Sequence, residues 1–330
     1  MNDPVLVSEY RGSILENEHH GVICGVNEKK EVIFQEGDIN HLTFYRSAMK
    51  PIQAIPVFLT DVINKYGLTS EETALFTASQ RGEIYHQNAL VSLLRKLQLS
   101  EEQLVCAESL PLNDEPKAAC LWNHGAKRRL FHNCAGKHLG LIAAAREKGW
   151  DMDTYYELDH PLQQAILGYL SQLAEIDSNE IGKGTDGCGV PVFSVPLYNM
   201  ALSYLKFACP EMISDQGMKE AVKHIGTVMN ENPKIIASHQ FVCTALLEDS
   251  NIVAKGGAQG VYCFALRKEK LSFALKVLSG SELVWPILIA GILEKMDYQN
   301  KETIHRLYEL GQRDILNDEG KIIGKRVVNL

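Results

Sequence analysis

Ile252-Val253-Ala254-Lys255-Gly256-Gly257-Ala258-Gln259-Gly260-Val261-Tyr262-Cys263-Phe264-Ala265-Leu266 sets two apolar runs on either side of a glycine cluster. The runs carry β-branched and aromatic residues, so the stretch predicts two β-strands joined or bent at the glycines. Further up the chain, His20 to Glu36 predicts a hairpin, with Gly21-Val22-Ile23-Cys24-Gly25-Val26 meeting Glu31-Val32-Ile33-Phe34 across a polar turn. Between these strands the spacing of apolar residues turns helical. Leu90, Leu93, Leu94 and Leu97 share a helix face, and so do Leu139, Leu141, Ile142 and Ala145. Ser70-Glu71-Glu72 supplies acids suited to a helix amino terminus. His160-Pro161 opens a helix to about Ile176, and further helices are predicted over Gln216 to Asn230, Glu282 to Lys295 and Thr303 to Leu310. Strands and helices mixed in this way predict an α/β (α+β) fold, a mixed sheet covered by helices. No repeat or composition break sets a firm boundary, so residues 1–330 are expected to form a single two-lobed unit.

Composition narrows the function. Of 330 residues, 45% are apolar and 22% charged, the balance of a globular protein. A net charge of −8 argues against a nucleic-acid surface, which needs concentrated Lys and Arg. The most apolar late segment, Leu283 to Leu293, is broken by Pro286 and too short to span a bilayer, so no membrane partner is expected. Met1-Asn2-Asp3-Pro4 lacks the basic and apolar regions of a signal peptide. Eight scattered cysteines are then expected to be reduced, in a cytoplasmic protein.

Two tetrapeptides ending in lysine carry most of the chemistry. In Ser47-Ala48-Met49-Lys50, a neutral lysine could take the proton of a serine nucleophile, and burial would lower its pKa enough to do so. On these four residues alone, a serine capping the helix at Pro51-Ile52 and a solvated lysine are the commoner explanation. Cys134-Ala135-Gly136-Lys137 repeats the pattern with sulfur, and Cys188 adds a second thiol. Thiolates favour zinc, but no Cys-x-x-Cys pair is present and a lysine ligand must lose its proton. On these residues alone, ordinary reduced cysteines are the commoner explanation. Ser79 reads alone as a turn serine, and Lys255 as either an edge-strand residue or one facing a cleft. Arg46, His138 and Asp186 are polar neighbours of the motifs. An arginine fork suits a carboxylate, while a surface ion pair is the plainer role. The loop Gly182-Lys183-Gly184-Thr185-Asp186-Gly187-Cys188-Gly189 permits close backbone approach but lacks the ending of a phosphate-binding loop.

Taken together, the segments Glu16 to Gly21, Tyr45-Arg46-Ser47-Ala48-Met49-Lys50-Pro51-Ile52-Gln53-Ala54, Ala78-Ser79 through Gly82-Glu83, His132-Asn133-Cys134-Ala135-Gly136-Lys137-His138, Asp186-Gly187-Cys188-Gly189-Val190-Pro191 and Ala254-Lys255-Gly256-Gly257-Ala258 resemble the rhizobial-type (class 3, asparaginase II-like) L-asparaginases. The resemblance implies a serine β-lactamase/glutaminase-like fold and a homodimer. It implies two Ser-Lys tandems, Ser47 with Lys50 and Ser79 with Lys255. It also implies zinc held by Cys134, Lys137 and Cys188, with Asp186 in support, and Arg46, His138 and Asp186 as substrate contacts. The reaction expected is hydrolysis of L-asparagine to L-aspartate and ammonia, with Ser47 as nucleophile. Members of that family commonly carry histidine where this chain has Gln80 and glutamate where it has Gln259, and often glycine and arginine in the segment that here ends at Phe241-Val242. Such changes in a polar pocket bear on substrate preference more than on reaction class. Glutamine or another small amide is the nearest alternative substrate. A non-catalytic zinc- or amino-acid-binding homologue is an alternative from a different class, and a metal-hydroxide hydrolase that does not need Ser47 is a third.

Overall fold

The computed structural model describes residues 3–330. They form two compact units. The first takes in the chain up to Ala48 together with Val195–Ala208 and Gln240–Leu330; the second is Met49–Ser194 with Cys209–His239. The early strands are β1 (Val5–Arg11), β2 (Ile14–Asn27), β3 (Val32–Glu36) and β4 (Leu42–Phe44), followed by β5 (Gly182–Thr185) and β6 (Pro191–Pro196). The late ones are β7 (Ile252–Gly256), β8 (Val261–Leu266), β9 (Leu271–Val277), β10 (Asp314–Leu316) and β11 (Ile322–Val328).

In the first unit an eight-stranded sheet runs β10-β11-β1-β2-β9-β8-β7, with β3 also paired to β2. The glycine-bearing stretch at 252–266 forms the expected hairpin, β7 against β8, in the register Lys255↔Cys263. The predicted hairpin at residues 20–36 is also found, with Ile23 opposite Glu36 and Gly25 opposite Phe34. Its first strand starts earlier than expected, at Ile14, because residues 14–20 pair with β1. β2 is exposed along that half and buried from Gly21 to Val26, where β9 pairs on its other edge. The Leu197–Ala208 helix packs on β2, β8 and β9 and buries nearly every residue, and Ser272 Oγ donates to Ala201 O at 2.7 Å. A helix buried all round has no polar stripe to announce it.

The second unit is mainly helical. The Leu90 and Leu139 periodicities lie on helices Ile84–Lys96 and Ala135–Glu147. The His160-Pro161 start is found as Pro161–Ala174, with the His160 ring accepting the Leu162 N–H. Thr69 caps the next predicted start and completes a capping box with Glu72, although that helix lasts only from Ser70 to Ala74. The glycine-rich segment expected as a loop is strand over its first half, with Gly182 opposite Ser194 and Thr185 opposite Pro191.

The expected cap at Ser47 is not formed. Ser47 lies inside a 3-10 turn, Arg46–Met49, and the helix Lys50–Gln53 starts at Met49 with no side-chain cap, its Pro51 tolerated because the first turn needs no N–H there. The mixed α/β class is as expected. No helix among the described residues is long and apolar enough to cross a membrane.

Candidate active site

Lys50 is 1% exposed, which removes the solvated-lysine reading of its tetrapeptide. Its amine donates to Ala78 O at 2.6 Å and to Ser79 Oγ at 2.9 Å, with Asn133 O at 3.4 Å. All three are neutral oxygens. Burial therefore dominates and lowers the Lys50 pKa, against a smaller opposing pull from Cys134. Ser79 follows a 3-10 turn, Leu75–Thr77, and its own N–H donates to Ile236 O at 2.7 Å, which fixes the backbone that presents the hydroxyl.

One turn of chain beyond Asn133 lies a second buried amine. Lys137 Nζ is 3.1 Å from Cys188 Sγ, and Cys188 Sγ is 3.9 Å from Asp186 Oδ2. Cys134 is held well below the usual thiol range by a hydrogen bond from Cys188, helped by the charges of Lys50 and Lys137. The same shared proton, with burial, raises Cys188. Burial alone would lower Lys137; the sulfurs of Cys188 and Cys134 outweigh it and hold the amine as an ammonium ion.

His138 stands on the same helix. Its Nδ1 lies 2.6 Å from the Tyr155 hydroxyl, which also accepts the Val105 N–H at 3.0 Å. That arrangement assigns the Tyr155 proton to Nδ1 and leaves N–H on Nε2, a buried atom turned to the Cys188 sulfur. Burial pulls the His138 pKa down to about 4, so the ring is neutral.

Gly136 lets this helix start where it does: a Cβ there would lie 2.4 Å from Leu75 O. Two sulfurs, one amine and an imidazole N–H thus converge in one dry region of the second unit. No group of three or more His, Cys, Asp or Glu able to hold a metal is assembled among the described residues, so a metal there requires the Lys137 amine. The donors suit a soft, tetrahedral ion such as zinc if its binding displaces the Lys137 proton.

The remaining expected residues belong to the first unit. Ser47 is half-buried between Tyr45, whose hydroxyl is 2.8 Å from Ser203 Oγ, and Ala48, whose carbonyl accepts Tyr204 O–H at 2.6 Å. Both ties run to the 197–208 helix. Arg46 adopts φ +50°, an unusual backbone for a residue with a side chain. Lys255 is 1% exposed on β7, which ends its sheet, and donates to Gly256 O at 2.7 Å. Two residues on, Gly257 passes so close to Tyr45 O that a Cβ would lie 2.7 Å from it. The first unit therefore brings the Lys255 strand end beside the Ser47 segment, while the second brings Lys50 onto Ser79.

Gln80, singled out in the sequence as a departure from the histidine of the resembled family, is 1% exposed and donates to Phe131 O and His132 O, both at 2.9 Å. The sequence marks the exchange but not the partners of the amide. Gln259 sits in a turn at φ +61°. Phe241 lines a cavity of about 520 Å³ in the first unit with Thr244, Glu248 and Arg306.

A family model described as L-asparaginase II matches residues 7–328. No curated protein matches. Among solved structures, a beta-lactamase from Mycobacterium bovis is 14% identical at a TM-score of 0.42, covering 83% of this chain and 94% of that one. A D-alanine carboxypeptidase from Burkholderia cenocepacia is 12% identical at a TM-score of 0.38, covering 88% and 93%.

Proposed function

Because the chain belongs to the L-asparaginase II family, it is an L-asparaginase-type amidohydrolase, and we propose that it acts through a serine acyl-enzyme with buried lysines carrying the protons. The observation that supports a serine–lysine mechanism is the Lys50 amine, buried, lowered in pKa and 2.9 Å from the Ser79 hydroxyl, and Ser47 is taken as nucleophile from the family resemblance. Lowering the pKa of a buried lysine makes its amine a more available base. Ser47 Oγ attacks the side-chain amide carbon of L-asparagine, and Lys50, three residues along the same stretch of chain, takes the proton. Ser79 and Lys255 deliver a proton to the departing nitrogen, which leaves as ammonia. Water then cleaves the ester, releasing L-aspartate and restoring Ser47. The Arg46 guanidinium suits the substrate carboxylate, the Asp186 carboxylate its ammonium, and the neutral His138 Nε2–H a further oxygen.

Cys134, Lys137 and Cys188 are the residues we assign to a zinc ion, on the strength of their two sulfurs, their common burial and the contact of the Lys137 amine with Cys188. When bound, zinc supplies a fixed positive charge that orients the substrate. Eight free cysteines fit a reducing, cytoplasmic setting, and the family resemblance supports a homodimer, which sedimentation would test.

A second reading exchanges the serines. It is favoured by the hydrogen bond that Lys50 makes to Ser79, and it makes Ser79 the nucleophile. Ammonia release from L-asparagine, with L-glutamine in parallel, tests both. Ser47→Ala is expected to lose activity by roughly 10³-fold or more, with trapped acyl-enzyme on Ser47 in wild type. Acyl-enzyme on Ser79 would establish the second reading. Release from glutamine alone would move the substrate assignment, and none from either amide by folded, zinc-replete protein would end the hydrolase mechanism.

A further inference from the structure

The oxygens that hold the Lys50 amine come from two separate segments. Ala78 and Ser79 supply a carbonyl and a hydroxyl, and Asn133 supplies a carbonyl from the loop that leads into Cys134. Nothing in the Ser-x-x-Lys tetrapeptide fixes how far apart those segments lie. Gln80 does. Its side-chain N–H groups reach Phe131 O and His132 O at 2.9 Å each, with Leu130 O at 3.5 Å. Its carbonyl accepts the Gly82 N–H at 2.6 Å. Gly82 in turn adopts φ +85° against Pro111, where a Cβ would lie only 2.4 Å from Pro111 Cβ, so the acceptor end is anchored on a turn that glycine alone fits.

A primary amide has two donors and an acceptor in one plane, and at Gln80 all three functions are used. A neutral imidazole offers one donor and one acceptor, a carboxylate no donor, and asparagine is shorter by a methylene. Gln80 is therefore matched to bridging two carbonyls on one segment and an N–H on its own.

We propose that Gln80 is a positioning residue for the reaction: its amide sets the spacing between the Ser79 segment and the Asn133 segment, and so places the Lys50 amine against the Ser79 hydroxyl. This rests on the reading of Lys50 as the proton acceptor. Gln80 acts through Lys50, whose cage opens when the bridge is cut. Displacements of about 1 Å in a catalytic arrangement cost on the order of 10²-fold in rate.

Gln80→Met keeps the length and removes all three hydrogen bonds; Gln80→His keeps one donor and one acceptor. Leu173→Ala, a cavity at the end of the 161–174 helix, serves as a control for lost stability alone. With folded protein, Gln80→Met is expected to lower kcat by roughly 30- to 100-fold with KM within about threefold, and Gln80→His to fall between it and wild type. The control keeps kcat within about twofold. In Gln80→Met, hydrogen exchange at the amides of His132 and Cys134 rises above that in the control. Wild-type kcat in Gln80→Met, or losses in Leu173→Ala of equal size, would overturn the proposal. Should Gln80→Met not fold, a wild-type kcat in Gln80→His overturns it and a partial loss of kcat alone supports it. If wild type itself releases no ammonia, the reading of the reaction fails separately. Hydrogen exchange then decides the bridge, and unchanged protection of His132 and Cys134 rejects it.

Discussion

Two lysines of the second unit, Lys50 and Lys137, are equally buried and shifted in opposite directions. Around Lys50 the hydrogen-bonded atoms are a carbonyl, a hydroxyl and a second carbonyl, all uncharged, so desolvation outweighs the pull of the Cys134 sulfur and the pKa is lowered. Around Lys137 the atoms are sulfurs, one of them driven to the thiolate, and the charge pair wins over the same burial. Equal burial thus gives opposite shifts, because the sulfurs beside Lys137 pull harder than anything that faces Lys50. One amine is prepared to take a proton, and the other gives one up only to something that can replace it between two sulfurs.

The largest test breaks the first half of this contrast. Lys50→Met should lower ammonia release by about 10³-fold, and Lys50→Arg by nearly as much, because a guanidinium keeps the charge yet cannot serve as base. Full activity in Lys50→Arg would show that charge, not proton acceptance, is what the site needs. The second half is probed in zinc-free protein, where Lys137→Met leaves the Cys134 thiolate uncompensated. Urea unfolding should show a loss of about 3 kcal/mol, and a loss near zero would mean that the sulfurs are both protonated.

His86 extends the comparison to a buried base on which burial outweighs the pull of the nearby Glu83 carboxylate. Its Nε2–H serves Lys234 O and Ile235 O, its Nδ1 accepts the Glu83 N–H, and burial lowers its pKa from 6.5 to about 4. Between those values the unfolded chain binds a proton that the native ring refuses. Stability is complete above pH 6.5 and is lost as the pH falls towards 4, by on the order of 2–3 kcal/mol. His86→Gln should flatten that part of the stability–pH curve, and an unaltered slope would remove His86 as its source. Smallest is Gly136→Ala, which presses a methyl group on Leu75 O and should cost about 1–2 kcal/mol in thermal unfolding without changing the order of the two lysine pKa values.

The sequence shows where reactive groups stand more readily than which of them meet. Ser47, Lys50, Cys134, Lys137 and Cys188 are visible as motifs, and their helices and hairpins follow from local periodicity. The contact of Lys50 with Ser79 is set by the packing of the Leu75–Thr77 turn against the 135–147 helix, which no spacing within four residues encodes. Gln80 is visible as a departure, but its role was hidden for a related reason: an amide between two carbonyls is defined by partners some 50 residues away. The pairing of β1 with β11 and the burial of the 197–208 helix were hidden likewise, the first by chain separation and the second by the lack of an exposed face.

That β1–β11 pairing has a consequence for how the protein is made. Every residue of the second unit has been translated once His239 is added, so it can close while the chain is still growing. The first unit cannot. β1 and β2 are synthesised at the outset, yet their neighbours β9 and β11 arrive only with residues 271–277 and 322–328. From His239 until the last strands emerge, the nascent chain carries strands with unpaired edges tethered to an otherwise finished helical unit, a state prone to pairing with the wrong partner. A chaperone that holds those early strands during synthesis is therefore expected to raise the yield of this protein.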